Sequence, residues 1–258
     1  MQLILQYLPG FLLVFVRIAS FFVTAPMFST RGVPNQFKIG LSFMLAVLSF
    51  TYVPLQTQIP MDISFAMYAI KEALIGLAMG FVLQILFAAL QIAGGLMDMQ
   101  MGFAMANVID PMTGVYIPIT GRFKNIIATL YYLSINGHHL FIQGILTSYK
   151  LIPIDMAWIP IGGEAFFLFM LKAFSYMFLS GFLMASPIIV ALFLVDLSLG
   201  IIAKTVPQFN IFVVGLPIKI FVSFFLLIIV MPGFLYVLGG LFEKMFGALS
   251  EVMTILGG

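Results

Sequence analysis

The chain has 258 residues, of which 63% are hydrophobic and only 8% charged, against about 25% charged in an ordinary soluble domain. Eleven basic and nine acidic side chains cannot clothe a globule of this size in water, so a soluble enzyme is excluded and most of the surface must meet lipid or other protein. The net charge of +2 comes from scattered Lys and Arg, which argues against nucleic acid, and the absence of Cys removes disulfides, thiolate metal sites and iron–sulfur clusters.

Charge spacing is the best ruler for the elements, because about 20 apolar residues cross the ~30 Å of hydrocarbon and each charge left in the middle costs a few kcal/mol. The N-terminal run, residues 1–28, is interrupted only by Arg17. It lacks the basic start and small-residue cleavage site of a signal peptide and is expected to be a retained first span. Charge-free windows follow at 39–61, 73–97, 125–149, 173–195 and 220–242. Each is long enough for a spanning helix. Stretches such as Phe221 to Val230 are apolar on every side, unlike the alternating strands of a membrane barrel. The expected fold is all-α, with about six long hydrophobic helices arranged as hairpins in one domain, 1–258, that no polar linker divides.

Two connections are more informative than the spans. One runs from about Asp98 to Lys124 and contains MQMGFAMANVIDPMTGVYIPITG; the other runs from about Asp196 to Lys219 and contains GIIAKTVPQFNIFVVGLP. Surface loops normally carry polar residues that solvate the backbone, whereas these carry Phe, Met, Ile and Val between Gly and Pro. Irregular apolar backbone survives at membrane depth only when buried in protein or lining a cavity, so both are candidate gate-forming segments. If the helix continues past Met97, then Met97, Met101 and Met105 share one face. Unbranched thioethers deform without leaving voids and suit a seal, and ordinary apolar packing accounts for them equally well.

His138 and His139 are adjacent and diverge by about 100° on a helix, which does not converge them on one metal ion. Hydrogen bonding to neighbouring helices is the favoured reading. Arg17 and Asp196 are the expected buried charges, and structural pairing is favoured over a proton path, since only Asp196 and Asp98 could supply its carboxylates. The chain has no HExxH, no phosphate-binding glycine loop and no nucleophile beside a base, so no catalytic residue, cofactor or metal is expected. The alternative from another class is a secondary transporter for a small solute, built on Arg17 and Asp196.

Five stretches, in this order, resemble the FliR/SctT family of type III export gate subunits. They are RIASFFVTAPMFSTRGVPNQFKIGLSF with Arg17, Pro26, Pro34 and Lys38; QIAGGLMDMQMGFAMANVIDP; NGHH; ASPIIVALFLVDLSLG around Asp196; and VPQFNIFVVGLPIKI. The resemblance covers nearly the whole length. It implies a non-enzymatic subunit of a flagellar export gate in the bacterial inner membrane, at the basal body. Its implied partners are FliP-like and FliQ-like subunits, FlhA-like and FlhB-like proteins, unfolded export substrates and membrane lipid. It implies a plug loop at about 103–118, to which Met101, Gly102, Phe103, Met105, Asn107, Val108, Ile109, Asp110, Pro111, Met112, Gly114 and Pro118 belong. Lys204, Pro207, Gln208, Phe209, Asn210, Gly215, Pro217 and Lys219 would pack against subunits at the entrance. A FliP-like part at about 1–200 and a FliQ-like part at about 201–258 are also implied.

Overall fold

The computed structural model describes residues 2–29, 32–53, 62–103, 118–156, 159–160, 162–206, 208 and 211–257, with side chains from Tyr7 in the first helix and from Val213 in the last. Among these residues the chain forms eight α-helices and no strand: α1 Gln2–Thr24, α2 Asn35–Phe50, α3 Ile63–Phe87, α4 Ala89–Met101, α5 Ile119–Ser134, α6 Gly137–Leu151, α7 Glu164–Thr205 and α8 Ile211–Gly257. Among the described residues four stretches are long and apolar enough to cross a membrane, namely Tyr7–Thr24, Ile63–Met101, Glu164–Thr205 and Val213–Gly257, and Asn35–Phe50 is a shorter apolar helix. The protein is a helical membrane protein, as its composition requires.

Several helices stop where backbone chemistry stops them, at places no charge marks. The window 39–61 contains Pro54, and α2 finishes before it, at Phe50, after 16 residues. The window 125–149 is split by Asn136, whose φ of 55° is left-handed, a conformation Asn tolerates better than most residues. Gly137 follows because a Cβ there would overlap the ring of Tyr132. Conversely α7 and α8 run for 42 and 47 residues straight through Lys172, Asp196 and Lys219, with Pro187, Pro217 and Pro232 inside them. The irregular stretch expected between Asp196 and Lys219 is therefore helical over Asp196–Thr205 and Ile211–Lys219.

The chain divides into two compact units. One takes Met1–Phe87, Tyr132–Phe174 and Glu243–Gly258, the other Ala88–Tyr131 and Ser175–Phe242. In the first unit, α1 buries Leu13, Val14, Arg17, Ile18, Phe21 and Phe22 on one stripe. That stripe meets α3 through a small-residue seam. A Cβ on Gly76 would overlap Ser20 Oγ and the Arg17 carbonyl, and one on Gly80 would overlap Thr24 Oγ1. Glycines four apart let two backbones approach closely, which matters in lipid, where apolar burial alone does not join helices. On its other side α1 meets α2 through edge-on rings, Phe11 against Phe43 at 5.6 Å and against Phe50 at 5.9 Å. Ahead of α3, Asp62 caps the helix by accepting the Ser64 N–H at 2.9 Å, and this bonding with Ser64 holds its carboxyl below the usual carboxylate range.

Much apolar surface is left uncovered by the chain itself. On α8, Phe221, Phe225, Ile228 and Ile229 are exposed, and only 17% of the helix's most apolar window is buried. Surface of this kind is covered by lipid or by partner proteins.

Candidate functional site

The second unit gathers the described ends of the segment expected to act as a plug. α4 closes on Met101, which is fully buried, and Gly102 ends the helix with a φ of 89°, a left-handed cap that glycine adopts without strain. A side chain at Gly102 would press on Leu216 of α8, and the next ring, Phe103, lies edge-on to Phe224 at 6.2 Å. The chain is described again from Pro118, whose carbonyl accepts the Arg122 N–H at 2.9 Å. Met105, Asn107, Val108, Ile109, Asp110, Pro111, Met112 and Gly114 lie outside the described residues.

Between these ends stands Asp98, 1% exposed. One carboxylate oxygen accepts the Ile119 N–H at 2.5 Å, and the other accepts the Thr120 N–H at 3.2 Å and the Thr120 hydroxyl at 2.5 Å. Thr120 Oγ1 also lies 3.0 Å from the Gly94 carbonyl. Beside this bonding Gly94 faces Gly121 so closely that a Cβ on Gly94 would overlap the Gly121 backbone. Two helices with Gly at the crossing thus meet backbone to backbone, and a carboxylate from one satisfies the first N–H groups of the other.

A second junction joins α4, α7 and α8. Asp196 accepts the Gln100 amide at 3.0 Å and the Lys219 ammonium at 2.9 Å. The expectation that Asp196 is buried is corrected: its side chain is 41% exposed. Exposed apolar neighbours, Phe193, Leu194 and Leu197, flank it on α7, so the chain supplies only part of its surroundings. Within the expected entrance set, Gly215 is buried while Lys204, Gln208 and Pro217 are exposed, and Pro207, Phe209 and Asn210 lie outside the described residues. Lys124, 1% exposed, places its ammonium 4.4 Å from the centre of the Phe234 ring and 3.4 Å from the Met184 carbonyl.

Arg17 belongs to a cluster in the first unit that the charge ruler passed over. Its guanidinium brackets the Glu72 carboxylate, with Nη2 2.9 Å from Oε1, and also donates to the Ile152 carbonyl at 2.9 Å and to Ser148 Oγ at 3.1 Å. The Tyr149 ring centre lies 4.3 Å away. Lys71 shares the same carboxylate at 3.0 Å and donates to the carbonyls of Ile154 at 2.7 Å, Met156 at 2.8 Å and Pro153 at 3.3 Å. All three charged side chains are at most 5% exposed. The signal was the adjacent pair Lys71-Glu72 between two charge-free windows, which marks a span boundary only if charges always lie at boundaries. The rings of His138 and His139 lie 4.2 Å apart between centroids, tilted by 41°, and among the described residues no group of three His, Cys, Asp or Glu could hold a metal.

The family model described as bacterial export proteins, family 1, matches residues 8–245. The chain is 44% identical over its whole length to the flagellar biosynthetic protein FliR of Bacillus subtilis (strain 168), covering 99% of that protein. It is 32% identical to the FliR of Escherichia coli (strain K12) over 93% of this chain and 91% of the relative. Similarity also reaches the surface presentation of antigens protein SpaR of Shigella flexneri, at 27% identity over 48% of this chain and 47% of that one.

Proposed function

The chain belongs to the bacterial export proteins, family 1, the family of the flagellar FliR proteins, and on that premise we propose that this type III export gate subunit forms a channel with FliP-like and FliQ-like subunits. Unfolded export substrates pass through it, and FlhA-like and FlhB-like proteins are its further neighbours in the inner membrane at the flagellar basal body. The segment of about 103–118 plugs the pore while export is idle. Lys204, Pro207, Gln208, Phe209, Asn210, Gly215, Pro217 and Lys219 contribute to packing against neighbouring subunits. The chain acts as one gate domain, with a FliP-like part at about 1–200 and a FliQ-like part at about 201–258. Its role is conduction and closure, with no catalytic step.

The observation that supports the plug is the pinned base of this segment: Gly102 and Phe103 rest on α8 while Ile119 and Thr120 are tied to Asp98. Between these feet Asp110 is the sole charged residue from 103 to 118, and an apolar constriction blocks ions by excluding water. Four of the five Arg17 N–H donors already meet protein groups, and its side chain is 1% exposed, which argues against the solute site of the transporter alternative. Replacing residues 104–117 by a short Gly-Ser link, in a complex assembled with its partners, should make membranes permeable to ions and small solutes. Unchanged permeability at normal complex yield would remove the plug assignment.

A further inference from the structure

α7 carries four charged side chains in 42 residues, and two of them share a face. Asp196, Gly200 and Lys204 follow one another at intervals of four residues, which places them along one side of the helix. Phe193, Leu197 and Ile201 fall on the same side, inside an arc of about 140° at the helical rotation per residue. Phe193, Leu197 and Ile201 are all exposed. The Asp196 side chain is 41% exposed although it already meets Lys219. Lys204 is exposed as well, and among the described residues no ion pair reaches it. A Cβ on Gly200 would meet nothing of this chain, so the middle of the face is open.

Such a face suits neither water nor acyl chains alone. Three large apolar side chains disfavour the first, and a carboxylate and an ammonium about 12 Å apart along the axis disfavour the second. A second copy of the chain fits no better. Copies insert in one orientation, so a two-fold axis along the membrane normal would set Asp196 beside Asp196 and Lys204 beside Lys204, and like charges across an interface cost affinity. A carboxylate in this fold can hold two cations, as Glu72 does with Arg17 and Lys71, so the pairing with Lys219 leaves Asp196 able to accept another. We propose that this face docks an apolar helix of a different subunit, one that carries a basic and an acidic side chain about two turns apart. The basic one meets Asp196, the acidic one meets Lys204, and the two backbones come closest at Gly200. This rests on the reading of Lys204 as a residue that packs against neighbouring subunits, and names the chemistry of what it packs against.

Gly200→Leu is the main test. Within the chain the new side chain enters open space, and Leu favours a helix more than Gly does, so a lipid-covered face would tolerate it. In the intact export complex it should lower the partner protein recovered per tagged chain roughly tenfold, the effect of overfilling a packed contact, with Gly200→Ala between it and the parent. Lys204→Glu should lower recovery about fivefold, and Lys204→Arg should behave as the parent does. With p-benzoylphenylalanine in place of Leu197, the photo-adduct mapped by mass spectrometry should fall on an apolar stretch of another subunit that holds an acid and a base. Changing that acid to Lys should restore recovery with Lys204→Glu. Parent-like recovery with Gly200→Leu, or an adduct on lipid, overturns the proposal together with the packing reading of this face. Loss with Gly200→Leu but parent-like recovery with Lys204→Glu overturns the proposal alone, as does an adduct on a stretch without both charges or on a second copy of this chain.

Discussion

Both compact units bury charge, yet they spend it differently. In the first, two cations share Glu72, and backbone carbonyls from Ile152 to Met156 take up most of their remaining donors. That cluster is closed on itself. In the second, Asp98 ties two helix ends at the root of a segment, and Asp196 is a half-open carboxylate at the meeting of three helices. Saturation makes a polar cluster a fixed part of the fold, whereas incomplete coverage leaves a group able to answer to something outside the chain. The same contrast separates the helix seams, since Gly76 and Gly80 lock α1 to α3, while Gly94 and Gly121 close a stem from which a segment departs.

The sharpest way to break the contrast is to open the closed cluster. Glu72→Gln strands two buried cations without a carboxylate, which costs about 3–5 kcal/mol, and should deplete the chain from membranes even when its partners are co-expressed. Arg17→Met should be milder by immunoblot, because Lys71 still pairs with Glu72. Next in size is the stem: Gly94→Ala drives a methyl into the Gly121 backbone and should cost about 1–3 kcal/mol, read as a lower melting temperature of the purified complex. The smallest effect belongs to the open junction. A double-mutant cycle of Asp196→Asn with Lys219→Met should give a coupling of about 1 kcal/mol or less. A larger coupling in the complex than in the lone chain would show that partners bury this pair.

The class of fold was legible because hydrocarbon tolerates so few charges that their spacing along the chain survives as a pattern. Helix ends were less legible. Asn136 and Gly137 form a breaker that a charge ruler does not register, and Lys172, Asp196 and Lys219 look like boundaries although helices carry them without interruption. At the site, the apolar Gly- and Pro-bearing run after Asp98 stood out by its composition. The role of Asp98 did not, because capping from a distant position depends on how α4 and α5 come together, and a linear reading meets only an isolated acid. Glu72 was missed for the same reason: its partner Arg17 lies far back in the sequence, and Arg17 in turn reaches forward to Ser148 and Ile152.

The lengths of α7 and α8 have a consequence for what the chain must be dissolved in. At 1.5 Å per residue, helices of 42 and 47 residues have contours of about 63 and 70 Å, roughly twice the hydrocarbon thickness of a bilayer. Acyl chains, or a detergent belt of similar height, can wet only about half of either one. The rest of their apolar surface must be wetted by protein, partly by this chain's own helices and partly by whatever it packs against.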